Sequence, residues 1–350
     1  MKILHAADLH LGTAFTGRTE AQVSFLKKAM LQIPAKIAGI CREQNCDLLL
    51  LSGDLFDGQP GANSLQALKN ALQEIGIPTF ISPGNHDFCG PDSPYLTGIW
   101  PENVRIFTKP EMESTALPSL NCRIYGAGYQ SMDCAALLEH FRTDGNERYH
   151  IGVLHGDPTQ VNSPYCPVSQ TQAAASGLDY LALGHIHKAG SFTAGKTLCG
   201  WPGCPMGRGY DETGEKGVYL VILEENVTIQ FIPLDTPRFY DLDIPVSTTA
   251  QDAVASILPP VGNDDFYRVT FTGECEPFDI SALSFPRFPN LTLLDSTVPP
   301  ADLWGCIAED NLEGTYFRLL HDMLAEDADA ATLAAKISRK ILDKQEVVLP

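Results

Sequence analysis

Asp47-Leu48-Leu49-Leu50-Leu51-Ser52-Gly53-Asp54-Leu55-Phe56-Asp57 is the stretch on which the fold turns. A short apolar run bounded by polar residues and a glycine reads as a buried strand, and it empties into a loop carrying two carboxylates. The same grammar extends outward in both directions. Upstream, Lys2–Ala7 reads as a strand ending in Asp8-Leu9-His10, followed by a helical region from about Glu20 to Gln44 that Pro34 must kink or split. Downstream, Ser64–Ile75 is an amphipathic helix with Gly76 as its C-terminal cap, and Ile77–Ser82 is a strand running into Gly84-Asn85-His86-Asp87. Further strands are predicted at Val104–Thr108, Arg123–Tyr129, His150–Leu154 and Tyr180–Leu183. Gly217–Leu223 and Val227–Leu234, joined by Glu224-Glu225-Asn226, read as a hairpin. Alternating strands and helices predict a layered α/β domain over roughly the first 240 residues.

The chain has 350 residues, 44% of them hydrophobic and 19% charged, so a large core is available and disorder is disfavoured. No apolar run is long enough for a membrane-spanning helix, and the polar residues at the N-terminus disfavour a secretory signal, so a cytoplasmic protein without a membrane partner is expected. Ten cysteines without a CxxC pair read as reduced thiols and not as a disulfide framework or zinc site. The net charge is −19, which by itself argues against a nucleic-acid partner. It is unevenly spread: residues 1–240 carry 17 basic and 24 acidic side chains, and residues 241–350 carry 7 and 19. Most of the excess therefore lies outside the α/β part.

Five strand ends carry metal-capable residues. Of nine histidines, five (His10, His86, His155, His185 and His187) fall in these loops, together with Asp8, Asp54 and Asn85. Ligands bind at the carboxyl ends of strands in open α/β sheets, so the five loops can converge. Imidazole and carboxylate without thiolate suit a divalent ion such as manganese or iron. In Asp8-x-His10 and His185-x-His187 an extended backbone would point both side chains to one side, so each pair is expected to share one centre. Taken alone, an Asp-x-His is usually solvated surface and a Gly-Asn-His-Asp is usually a turn. Five such elements, each after a predicted strand, outweigh those readings.

The set Asp8-x-His10, Gly53-Asp54, Gly84-Asn85-His86-Asp87, His155 and Gly184-His185-x-His187 resembles the calcineurin-like metallophosphoesterase superfamily. His10-Leu11-Gly12, GDLFD, PGNHD, GHIH and Trp201-Pro202-Gly203 are similar to its SbcD/YhaO-like branch of DNA double-strand-break repair exonucleases. Pro83 stands where protein phosphatases of the superfamily carry arginine, which speaks against that branch. The resemblance implies a four-layer α-β-β-α sandwich with two divalent ions, manganese foremost, with iron and magnesium as alternatives. Asp8, His10, Asp54 and His187 would hold one ion, and Asp54, Asn85, His155 and His185 the other. His86 would be the general acid, with Asp87 orienting its ring. It further implies a 3′→5′ DNA exonuclease with endonuclease activity, a homodimer, and an SbcC-like coiled-coil ATPase partner.

Other readings accompany this one. The same chemistry on a small-molecule or nucleotide diester fits the net charge, and a non-catalytic adaptor would dock through the C-terminal helices. From about Pro237 the pattern changes, with strands expected at Phe239–Ile244, Phe266–Thr272 and Leu291–Leu294 and helices at Leu312–Ala325 and Ala328–Asp343. With the resemblance over the first part, this divides the chain into a phosphoesterase domain over 1–238, a small α+β capping domain over 239–305 and a helical segment over 306–350. His5 is expected to pack or hydrogen-bond within its strand, and Asp57 and Asp157 to support the loops. Arg208 reads equally as a contact to a substrate phosphate or as an ordinary surface arginine. Cys204 replaces the serine typical after Pro-Gly, and His140, His150 and His321 are expected to be structural.

Overall fold

The computed structural model describes residues 1–246, 249–300 and 302–344. The first elements are β1 (Lys2–Ala6), α1 (Glu20–Leu31), α2 (Ile33–Gln44), β2 (Leu48–Leu51), α3 (Ala62–Ile75), β3 (Thr79–Ile81), α4 (Pro94–Thr97) and β4 (Val104–Ile106). Then come β5 (Glu113–Leu117), β6 (Cys122–Gly126), β7 (Tyr149–His155), α5 (Gln170–Ser176), β8 (Tyr180–Gly184), β9 (Gly190–Ala194), β10 (Thr197–Trp201), β11 (Gly217–Leu223) and β12 (Val227–Pro233). The described residues continue with β13 (Phe239–Pro245), α6 (Ala250–Ile257), β14 (Phe266–Thr272), β15 (Leu291–Asp295), α7 (Leu312–Asp322) and α8 (Ala328–Leu342). It divides into two compact units, one of Met1–Asp241 with Asn263–Tyr267, the other of Leu242–Gly262 with the described residues from Arg268 onward.

The first unit contains two six-stranded sheets, ordered β12-β11-β1-β2-β3-β4 and β5-β6-β7-β8-β10-β9. The period-two alternation of strand side chains assigns each residue to a layer. In β2, Leu49 and Leu51 pack with Leu26, Ile37 and Leu68 of the helices, while Leu48 and Leu50 face Phe107, Ile124 and Ile151 between the sheets. In β8, Tyr180 and Ala182 point into that same inter-sheet core, and Leu181 and Leu183 turn outward to Ala173 of α5. Helices, sheet, sheet and helix are therefore the four layers implied by the sequence. All four leucines of β2 are 0–1% exposed, and each buried leucine contributes about 1.5–3 kcal/mol.

Local signals explain the helix boundaries. Thr19 and Gln22 form a reciprocal capping box at the start of α1. Pro34 sits in the first turn of α2, where its missing N–H costs nothing, so it splits the helical region instead of breaking it. Gly76 ends α3 in a left-handed conformation, φ 62°. The sequence reading missed the edge strands β5 and β9, the strand β10, and the short helices α4, α5 and α6. All are short, and β10 lies parallel to β8 with Gly200 packed against the Tyr180 ring, a tertiary fit that no local pattern announces.

The second unit holds Leu242–Pro245 of β13, Arg268–Thr272 of β14, β15, α6 and the pair α7–α8, whose core is Leu303, Cys306, Phe317, Leu320 and Ala335; β13, β14 and β15 form a three-stranded sheet in that order. Among the described residues no helix is long and apolar enough to cross a membrane. All ten cysteines are free.

Candidate metal centre

Register brings the loops together. Ala6 pairs with Leu51 and Leu51 with Ile81, so the loops after β1, β2 and β3 leave the sheet side by side. In the other sheet His155 pairs with Gly184, which sets the loops after β7 and β8 abreast. Beyond the strands the backbone turns left-handed at Asp8 (φ 54°), His10 (φ 44°), Asp54 (φ 49°) and His185 (φ 97°). Such non-glycine conformations cost of order 1–3 kcal/mol each and concentrate where function demands them. The amides of Asp8 and His10 donate to the carbonyls of Gly53 (3.0 Å) and Asp54 (2.9 Å), zipping the first two loops. A Cβ at Gly84 would land on Asp54 Oδ1, so only glycine lets the third loop approach.

The side chains these loops carry are buried: Asp8, His10, Asp54 and His155 are at most 1% exposed and Asn85 is 4%. Their donor atoms gather in clusters, one formed by Asp8, His10 and His187 and another by Asp8, Asp54 and His155. His10 Nε2 lies 3.1 Å from His187 Nε2 and 3.7 Å from Asp54 Oδ2. His155 Nε2 lies 2.9 Å from Asn85 Oδ1 and 3.4 Å from Asp54 Oδ2. Asp54 thus faces both histidines, as a bridging carboxylate must. His155 Nδ1 is 3.0 Å from the Ser52 carbonyl, which can only accept, so Nδ1 carries hydrogen and Nε2 is the free ligand atom in the neutral ring.

The electrostatics are those of a cation site. Burial alone would raise Asp54, yet His155 and His10 hold it well below the usual carboxylate range. Burial would lower His155, but Asp54 and Asp8 push it up to about 9. These carboxylates call for positive charge, and a divalent ion can supply it in place of a proton. His185 is pushed down to about 4 by burial and then by His155, which keeps one ring nitrogen's lone pair available.

His86 stands at the rim, with its side chain 41% exposed and its ring 4.9 Å from that of His10. Asp87 does not orient it. Asp87 Oδ2 accepts from Leu55 N (2.7 Å), Phe56 N (3.2 Å) and Tyr95 Oη (2.6 Å), and Oδ1 accepts from Gly84 N (2.8 Å). The carboxylate facing His86 Nδ1 is Asp57, at 3.2 Å. Asp57 in turn accepts from Thr13 Oγ1 at 3.1 Å. The resemblance implied Asp87 as the partner, whereas in this chain Asp87 is turned inward by the amides that it caps.

The family model for the calcineurin-like phosphoesterases matches residues 1–189. The chain belongs to that family. The chain is 35% identical over 260 residues to the uncharacterized metallophosphoesterase YhaO of Bacillus subtilis (strain 168), a match covering 69% of the chain and 61% of that protein's length. Among solved structures, it is similar to a dimetal phosphatase from Danio rerio (11% identity, TM-score 0.46, covering 66% of this chain and 95% of that one). It is also similar to an archaeal phosphodiesterase (16% identity, TM-score 0.38, covering 67% and 100%).

The family is one of metal-dependent phosphoester hydrolases that use two divalent ions. The residues fit such ions. The Nε2 atoms of His10 and His187 face each other at 3.1 Å, while Asp57 Oδ1 lies 3.9 Å from His10 Nδ1 on the other edge of the ring. Hydrogen on Nδ1 of both rings would turn two Nε2 lone pairs toward one cation.

Two placements in the chain depart from what local sequence suggested. His185 and His187 do not point to one side as an extended backbone would place them: the ring of His185 lies against His155 (5.2 Å) and Tyr165 (4.7 Å), whereas His187 faces His10. The backbone at His185, φ 97°, is not extended, so alternation fails there. Arg208 is not a free surface cation either. Its Nη2 is 2.6 Å from Glu212 Oε1, and Glu212 Oε1 is also 2.7 Å from His187 Nδ1. Burial would raise Glu212, but His187 and Arg208 hold it far below the usual range. The sequence reading missed Glu212, because nothing local distinguishes it from other acidic residues of that loop.

The remaining candidates are structural. His5 is fully buried, with Nδ1 2.8 Å from Tyr180 Oη and Nε2 2.6 Å from Ser52 Oγ. Burial pushes it down to about 3, so it is neutral. Asp157 caps its own loop, accepting from Thr159 N at 2.7 Å and Gln160 N at 3.2 Å. Beside His86 opens a cleft of about 140 Å³ lined by Gly58, Pro60, Phe88, Ser93 and Pro94.

Proposed function

We propose that this chain is a manganese-dependent phosphodiesterase acting on DNA, a 3′→5′ exonuclease with accompanying endonuclease activity in cytoplasmic DNA repair. The observation that carries the reading is the pair of donor clusters that share Asp8, with Asp54 facing both His10 and His155 and the exposed imidazole of His86 at their rim. The choice of DNA rests on the SbcD/YhaO-like motifs GDLFD, PGNHD and GHIH.

Asp8, His10, Asp54 and His187 would hold one ion and Asp54, Asn85, His155 and His185 the other. Bound there, two divalent cations polarise a phosphoryl group and activate water at neutral pH. Asn85 contributes a neutral oxygen, limiting the negative charge of the set. His86 would give the departing alkoxide the proton carried on its Nε2, while its Nδ1–H stays donated to Asp57. An SbcC-like coiled-coil ATPase and a second copy of the chain are the proposed partners, with the partner adding the basic surface that a −19 chain lacks.

A small diester is the second reading, favoured by that same net charge. End-labelled duplex and single-stranded DNA, assayed with manganese, magnesium and chelator, decides between them. Manganese-dependent release of mononucleotides supports the nuclease; cleavage of bis-p-nitrophenyl phosphate with intact DNA supports the small diester.

A further inference from the structure

Two groups of opposite charge reach the same nitrogen of His187. Glu212 Oε1 is 2.7 Å and Arg208 Nη2 is 3.0 Å from His187 Nδ1. They demand opposite tautomers. A carboxylate only accepts, so it requires hydrogen on Nδ1, whereas a guanidinium only donates and requires a lone pair there. In a neutral ring the choice at Nδ1 decides Nε2, the atom facing His10 Nε2 at 3.1 Å. With hydrogen on Nδ1, Nε2 offers a lone pair to a cation; with hydrogen on Nε2, the ring repels it.

The carboxylate is placed to win. It is the shorter contact, and it holds its rival: Arg208 gives Nη2 (2.6 Å) and Nε (3.1 Å) to Glu212 Oε1, and its backbone N (2.8 Å) to Oε2. The His187 backbone does not depend on this arrangement. Its carbonyl accepts independently from Cys204 N and Lys216 Nζ, both at 3.3 Å, so removing Glu212 frees the ring and the Arg208 amide without freeing the His187 backbone.

We propose that Glu212 is a positioning residue that locks His187 in the metal-binding tautomer, and that Arg208 is a latent competitor that captures the ring once Glu212 is gone. The inference rests on the two-ion reading of the site. It makes a non-additive prediction, since deleting the competitor as well should undo part of the damage.

The test uses the full chain with ¹⁵N-labelled histidine, as wild type, Glu212→Ala, Glu212→Gln, Arg208→Met and the Glu212→Ala/Arg208→Met double variant. In metal-free protein, long-range ¹H–¹⁵N spectra should show His187 with hydrogen on Nδ1 in wild type and on Nε2 in Glu212→Ala. Manganese titration should show one of two sites weakened about 10–100-fold in Glu212→Ala, less in Glu212→Gln, and the other site unchanged. The double variant should bind more tightly than Glu212→Ala. An unchanged tautomer in Glu212→Ala, or a double variant no better than Glu212→Ala, overturns the proposal. Should the wild type bind no manganese, the metal reading fails by itself, and the tautomer spectra still decide the role of Glu212. Glu212→Gln keeps an acceptor and the shape of the side chain, so it reports even if the alanine variants fold poorly.

Discussion

Asp57 Oδ1 stands 3.2 Å from His86 Nδ1, although 29 residues separate them in the chain. Asp87, the sequence neighbour of His86, gives its carboxylate to three backbone amides and a tyrosine hydroxyl. The two aspartates should therefore fail in different ways.

Removal of the acid comes first. His86→Gln should lower kcat by about 10²–10⁴-fold, the usual contribution of a positioned general acid, with manganese still bound. Asp57→Asn should lower kcat by a smaller factor, also without loss of metal. Steady-state kinetics beside metal analysis checks both; full activity in His86→Gln would refute the acid assignment.

Asp87→Asn should act on stability. An amide there presents donors to groups that already donate, and leaving buried N–H groups unpaired costs roughly 1–3 kcal/mol each. A lowered Tm is expected, with kcat falling only as the Gly84–Asp87 loop loosens. Thermal denaturation at fixed metal concentration separates this from the Asp57 effect.

His5 should make the fold acid-sensitive. Its folded value of about 3 lies below the unfolded 6.5, so between these pH values the unfolded chain binds the extra proton. Stability is then complete above about pH 6.5 and is lost as pH falls toward 3, at up to about 1.4 kcal/mol per pH unit. Denaturant melts of His5→Gln should show a flatter pH dependence across that range; an equal slope would mean that other groups dominate.

Gly84→Ala should destroy the site while leaving the sheets. A methyl group there meets Asp54 Oδ1 and the Asp54 amide, and neither can retreat without moving the loops after β2 and β3 apart. Loss of at least one bound ion with native far-ultraviolet circular dichroism is the expected result.

Metal itself should stabilise. An ion bound only by the folded chain adds about 2.7 kcal/mol at 100 times its Kd. Chelator should therefore lower Tm and abolish hydrolysis, and manganese should restore both. A Tm indifferent to chelator and to added manganese would argue that these clusters do not bind ions.

Much was legible without coordinates. Short apolar runs ending in Asp, Asn and His determine the α/β class, the strand-end placement of the site and most of its donors, because strand periodicity and turn chemistry are local. Leu48–Leu51 and Asp54 could be read from the eleven residues around them. The pairing of donors could not. Which carboxylate meets His86, which histidine faces His10, and whether Arg208 stands free depend on left-handed turns at Asp8, Asp54 and His185 and on contacts across tens to hundreds of residues. Glu212 is the clearest case: an unremarkable acid in sequence, it acquires its role only where the chain folds it against His187 Nδ1. Local physics named the residues, and long-range packing decided which atoms meet.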